Sequence, residues 1–261
     1  MHMGSILAIV NQKGGVGKTT TAVNLAASLA LAEKEILVID SDPQGNATTG
    51  LGLRRDDLVT SIYNIFTESA RIEDVIADTE VEHLRIVPST VDLLAAEVEL
   101  VERPDRERIL RNALVGLRSR FEYILIDCPP SLGLITLNAL VAADGLIVPV
   151  QCEYYALEGL SMLTRTITMV KNAFNPELTI RGILLTMFDS RNSLSRQVAE
   201  EVRRYFGRSV FSTVVPRNVT LGEAPSHGKP AMLYDFRSRG AQSYLELAKE
   251  ILYENGTGQR A

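Results

Sequence analysis

Asn11-Gln-Lys-Gly-Gly-Val-Gly-Lys-Thr-Thr20 is the densest chemistry in this chain. A phosphate-binding loop reads G-x-x-x-x-G-K-[ST]. Gly17-Lys18-Thr19 supplies its right-hand end, but Gln12 stands where the first glycine belongs, and a second lysine, Lys13, follows it. Gly14, Gly15 and Gly17 allow backbone angles and a close approach to an anion that a Cβ would block. Lys18 is placed to reach terminal phosphates and the Thr19 hydroxyl to ligate Mg2+. A triphosphate carries more charge than one lysine and one Mg2+ neutralise. A lysine lent by a second subunit would therefore make dimerisation depend on the bound nucleotide, and hydrolysis would loosen the dimer.

Acidic residues at two further places fit the same pocket. Asp127 ends the apolar run Tyr123-Ile-Leu-Ile126, where a carboxylate can hold Mg2+ through water. Asp40 and Asp42 follow Ile36-Leu-Val-Ile39, and a carboxylate here can position the water that attacks a γ-phosphate. An isolated acid after a strand is as often a cap or turn residue. The glycine-rich loop upstream shifts the balance to the functional reading.

Such a loop works only between a buried strand and a helix N-terminus, whose backbone N–H groups converge on the anion. The sequence supplies both. Apolar β-branched runs at 6–10, 36–39, 84–87, 123–126, 145–150, 180–185 and 210–215 read as strands, several without polar alternation, as strands covered on both faces do. Helical patterns lie at 19–32, 105–118, 134–143, 156–173, 194–206 and 238–254. This alternation predicts an α/β fold: a mostly parallel twisted sheet with helices on both faces and ligands at the carboxyl ends of the strands. Residues 53–82 are polar and irregular and read as short helices over the sheet edge. One domain is expected over 1–261, with a frayed tail from about 255.

Composition narrows the class. With 46% hydrophobic and 23% charged residues, the chain reads as an ordinary soluble globular protein. No apolar run reaches the roughly 18–20 residues of a membrane helix, and Met1-His-Met-Gly-Ser5 is too short a lead for a signal peptide. Cys128 and Cys152 form neither a disulfide framework nor a metal site, which suits a reduced cytoplasm. His83 and His227 lack metal-ligand spacing and read as structural. A net charge of −5 argues against a surface that coats nucleic acid all over. Residues 181–261, however, hold 12 Lys/Arg against 8 Asp/Glu, a local excess able to attract a phosphate backbone.

Lys13-Gly-Gly-Val-Gly-Lys-Thr19, Asp40-Ser-Asp-Pro-Gln-Gly-Asn-Ala-Thr48, Ile126-Asp-Cys-Pro-Pro-Ser-Leu-Gly133 and Val215-Pro-Arg-Asn-Val219 with Glu223-Ala-Pro-Ser-His-Gly-Lys-Pro230 resemble the ParA/Soj chromosome-partitioning ATPases, in the deviant Walker A group of P-loop proteins. The resemblance covers Ile6 to about Tyr253. It implies an ATP- and Mg2+-dependent hydrolase, slow and stimulated by a ParB-like partner. That enzyme would be homodimeric with ATP, bound to non-specific double-stranded DNA, and cytoplasmic on the nucleoid. It casts Lys13 as the signature lysine acting in trans, and Gly14, Gly15, Val16, Gly17, Lys18 and Thr19 as the cradle, with Thr20 near the α-phosphate. Asp42 becomes the hydrolytic acid, also facing the metal through water, and Asp127 the Walker B acid. Met187, Pro216 and Asn218 would cup the adenine. Arg191 matches a DNA-contacting arginine, and Arg196, Arg203 and Arg217 are further DNA candidates.

The sequence also departs from that pattern. Thr220 stands where many relatives carry a DNA-gripping arginine, and Gly222 replaces a common serine. Two other classes are weaker fits. A membrane-positioned ATPase like MinD needs a basic amphipathic C-terminal helix, whereas Ala241–Glu254 is net acidic and reads as a packing helix. An electron-transfer protein like the nitrogenase iron protein needs cluster cysteines, and the two here read as small buried residues. No helix-turn-helix precedes the loop, so operator-specific DNA binding is not expected. A ParA-like switch serving another cargo remains open, since cargo choice lies in a partner surface.

Overall fold

The computed structural model of the chain describes residues 3–257. All seven expected strands form: β1 (Ser5–Ile9), β2 (Ile36–Asp40), β4 (Leu84–Val87), β5 (Tyr123–Asp127), β6 (Gly145–Gln151), β7 (Thr179–Phe188) and β8 (Val210–Pro216). An eighth, β3 (Ala77–Asp78), pairs antiparallel with β4 and is too short to show a period in sequence. The sheet runs β3-β4-β2-β5-β1-β6-β7-β8, parallel except at β3.

Strand geometry sorts the side chains. Ile6, Ala8 and Val10 face one core layer, while Leu7 and Ile9 face the other. Helices Leu134–Ala142, Ala156–Ala173 and Ser193–Phe206 cover the first face; Lys18–Ala30 and Arg239–Thr257 cover the second. Each fully buried Ile or Leu contributes roughly 1.5–3 kcal/mol, so the central strand is a fixed mount for the loop that follows it. Cys128 and Cys152 are free and buried.

Helix boundaries follow the sequence closely, with one shortening. The pattern at 105–118 yields an α-helix only over Ile109–Leu114, continued as a 3-10 turn over Val115–Ser119. Pro104 and the left-handed Asp105 (φ 54°) keep the chain out of helix before it, and Gly116 weakens its far end. Short helices do occupy the irregular segment, at Ile62–Phe66 and Ile72–Val75. The last helix runs on to Thr257, and the remainder of the expected tail lies outside the described residues. It buries Tyr244, Leu247, Ala248 and Ile251 against the sheet. Its Glu250 carboxylate accepts the Ser212 N–H (2.7 Å), the Thr213 N–H (3.0 Å) and the Thr213 hydroxyl (2.8 Å) on the outermost strand, β8. No described helix is long and apolar enough to cross a membrane.

Candidate functional site

β1 leads directly into the glycine-rich loop, and Lys18 opens the helix Lys18–Ala30. Gly15 and Gly17 have φ of 72° and 91°, angles that a side chain would strain. Two long-range contacts and one local one fix the loop. Asn11 Nδ2 donates to the Pro149 carbonyl on β6 (2.7 Å), and Asn11 Oδ1 accepts the Lys13 N–H (3.0 Å). On β7 the Thr186 hydroxyl donates to the Val16 carbonyl (2.8 Å). Neither Asn11 nor Thr186 was expected from the sequence. The one signal for Thr186 is a polar residue at the end of the apolar run Gly182-Ile-Leu-Leu185.

Lys18 is buried, and its ammonium donates to the Lys13 carbonyl at 3.2 Å. Burial pushes its pKa below the usual lysine range, against the pull of the Asp127 and Asp42 carboxylates. Asp127, at the end of β5, is fully buried, and neither of its carboxylate oxygens has a hydrogen-bond partner. Burial raises its pKa well above the ordinary carboxylate value. Asp40 and Asp42 push it the same way, while the Thr19 hydroxyl and Lys18 oppose the shift. An orphaned buried carboxylate beside a threonine hydroxyl suits a hard cation with oxygen ligands. Among the described residues no three His, Cys, Asp or Glu side chains converge as a metal cage.

The two acids after β2 separate by geometry. Asp40 accepts from the Thr48 N–H (2.7 Å), the Thr48 hydroxyl (2.7 Å) and the Asp42 N–H (3.2 Å), so it pins the loop that follows. Its pKa rises to about 6, chiefly through burial. Asp42 is also buried, near enough to Lys18 and Asp127 to act on both, and among the described residues its carboxylate accepts the Gln44 N–H alone (2.9 Å). Of the two acids, Asp42 therefore keeps the freer carboxylate.

Beside the loop lies a cavity of about 200 Å³. Gly17 and Thr20 line it together with Met187, Pro216 and Asn218. Met187 holds a left-handed backbone (φ 49°), and the buried Asn218 Oδ1 lacks a hydrogen-bond partner. Tyr244 from the last helix closes the floor, and its buried hydroxyl meets the Thr21 hydroxyl at 3.1 Å. Gly222 lines the same cavity, and a Cβ there would meet nothing within 4 Å.

Lys13 does not point into this cleft. Its ammonium pairs with Glu153 Oε2 at 2.7 Å, just beyond β6. Of the arginines expected on DNA, Arg191 follows β7, Arg217 follows β8, and Arg196 and Arg203 lie on the helix Ser193–Phe206. Arg191 is clamped onto Asp189 of its own turn (3.0 and 3.1 Å), and Arg196 onto the Ser190 carbonyl (2.5 Å). Arg217 borders the cavity beside the loop and acts on Asp189. Arg203 lies two helical turns beyond Arg196, close enough to Cys152 to act on its thiol. Three of the four therefore gather near the ends of β7 and β8, and Arg203 stands apart. Thr220 opens the short helix Thr220–Glu223. His83 pairs with Glu35 at 2.7 Å, and His227 stacks on Tyr234.

Comparison with known proteins follows the same lines. The sequence pattern of an AAA domain family matches residues 4–180. The chain is 57% identical to the chromosome partitioning protein ParA of Myxococcus xanthus, over 96% of this chain and 88% of that one. It is 56% identical to the sporulation initiation inhibitor protein Soj of Bacillus subtilis, over 95% and 98%. In structure it is similar to a cobyrinic acid a,c-diamide synthase of Mycobacterium smegmatis solved with bound ADP and magnesium. The TM-score is 0.87 and the identity 36%, over 98% of this chain and 97% of that one.

Proposed function

This chain belongs to the ParA/Soj family of chromosome-partitioning ATPases, and on that premise we propose that it is a slow, partner-stimulated ATPase whose ATP-bound homodimer holds non-specific DNA and drives chromosome or plasmid segregation. The observation that carries the nucleotide half is the convergence of Lys18, Asp42 and the orphaned Asp127 at one loop mouth.

The loop N–H groups and Lys18 would hold the phosphates, with Thr20 near the α-phosphate and Met187, Pro216 and Asn218 around the adenine. Thr19 directly, and Asp127 and Asp42 through water, would hold Mg2+, which neutralises charge on the β- and γ-phosphates. Asp42 would orient the attacking water and take its proton. Lys13 would reach the partner's phosphates, so that the dimer lasts as long as the triphosphate. Arg191, Arg196, Arg203 and Arg217 would contact phosphates of the DNA backbone, without reading sequence. The stimulating partner would be ParB-like, and the protein would work in the cytoplasm on the nucleoid. Use of the last helix as a membrane foot is disfavoured, because its apolar face is already spent on the sheet.

Retention of non-specific DNA, measured with and without ATP across a salt series, tests the whole reading. Retention should require ATP and Mg2+ and fall steeply with salt. Binding that ignores either would remove the DNA half of the proposal.

A further inference from the structure

Lys13 is held at three points in this chain. Its N–H is fixed by Asn11 Oδ1, its carbonyl accepts from Lys18 Nζ, and its ammonium is paired with Glu153. Glu153 is itself prepared for that pairing. Its backbone N–H donates to the Gln151 carbonyl (2.8 Å), and its carbonyl accepts the Ala156 N–H (3.0 Å). Its second carboxylate oxygen accepts from the Gln151 side-chain amide. The carboxylate thus has one oxygen steadied within its own turn and the other turned to Lys13, 140 residues away in sequence. The pair sits on the open rim, both side chains about half exposed. Tyr154 and Tyr155, 75% and 65% exposed and packed edge to face, extend the same turn as an apolar surface facing outward.

We propose that Glu153 is an internal rival of the partner's nucleotide: it stows Lys13 against its own subunit, and that ion pair must break before Lys13 can cross a dimer interface. This rests on the in-trans role of Lys13 proposed above. A single carboxylate competes poorly with the several charges of a triphosphate, so the stowed lysine transfers when ATP stands opposite and returns once the charge is gone. Because each subunit of a symmetric dimer gives up its own pair, Glu153 raises the protein concentration at which such dimers form by the square of the factor that one pair contributes.

One exposed ion pair contributes roughly 1.4- to fivefold, so the two together set a factor of about two to twenty-five. The test is sedimentation of the full chain with Mg2+ and a non-hydrolysable ATP analogue. Glu153→Gln should dimerise at a concentration lower than the unaltered chain by that factor, and the gap should close as salt screens the pair. Glu153→Asp, which shortens the reach to Lys13, should fall between the two. Thermal melting of each variant confirms that it folds. A Glu153→Gln dimer of unchanged or weaker affinity, beside an unaltered chain that dimerises normally, overturns the rivalry and leaves the in-trans role standing. If the unaltered chain stays monomeric with the analogue, the dimer reading fails, and the rivalry falls with it.

Discussion

The phosphate mouth and the arginine rim occupy the same end of one sheet but are built in opposite ways. At the mouth, Lys18, Asp42 and Asp127 are 7%, 8% and 0% exposed, and their charges act on one another through protein rather than water. At the rim the Arg191 side chain is 89% exposed and folded onto Asp189 of its own turn. Arg203 and Arg204 share their helix with Glu200 and Glu201. Charges confined in a dry site are costly unless something binds there, so their arrangement carries information about a ligand. Charges in water cost little in any arrangement, so their positions alone say much less.

If that contrast holds, substitutions at the mouth should act on chemistry and those at the rim only on affinity. Asp42→Ala should lower hydrolysis by ~10²–10⁴-fold while the ATP-bound dimer accumulates; an enzyme with normal turnover would strip Asp42 of its role. Asp127→Asn should cost roughly a hundredfold in Mg2+-dependent hydrolysis. Without Mg2+ it should melt no lower than the unaltered protein, since it removes a buried carboxyl with no partner; a marked loss of melting temperature would mean the carboxylate is structural.

A pH titration of stability probes the same dryness. The Asp40 pKa moves from 3.8 in the ordinary state to about 6 in the folded chain. Its contribution is therefore fully present below 3.8 and is lost as pH rises through about 6. Chemical denaturation in Mg2+-free buffer should show stability falling across that window, with Asp40 contributing on the order of 3 kcal/mol. Asp40→Asn should lessen the fall, which Asp127, raised by the same burial, shares; a slope unchanged by the substitution would assign the titration elsewhere.

Lys13→Ala should keep nucleotide but weaken the ATP-dependent dimer by roughly tenfold or more, and an unchanged sedimentation profile would count against an in-trans contact. The smallest effects belong to the rim. Arg191→Ala or Arg217→Ala should each lower DNA affinity a few-fold and reduce the salt slope by about 1. Asp189→Asn, which frees Arg191, should raise affinity. A rim variant that abolished hydrolysis would erase the distinction between the two regions.

The same contrast explains what the sequence could convey. The strands and the glycine-rich loop were legible because burial on both faces writes long apolar runs, and because few residues substitute where φ is 72° or 91°. Asp127 was legible as a charge ending such a run. Residue types and spacing did not separate Asp40 from Asp42, and only the family resemblance pointed to Asp42, because the difference depends on Thr48 folding back onto Asp40. The Lys13–Glu153 pair, the Thr186 anchor and the Tyr244 floor all join residues more than a hundred positions apart, with no local period to announce them. β3 was missed because two residues cannot show an alternation.

The two flanks of the sheet carry a different consequence. At one, β3 offers only two residues, and its Asp78 is paired with Arg85. At the other, Glu250 occupies backbone amides of β8 that an incoming strand would need. Both borders are thus blunted against strand addition, the route by which crowded sheet proteins grow into fibrils. Copies of this chain brought close together are then poorly placed to join edge to edge.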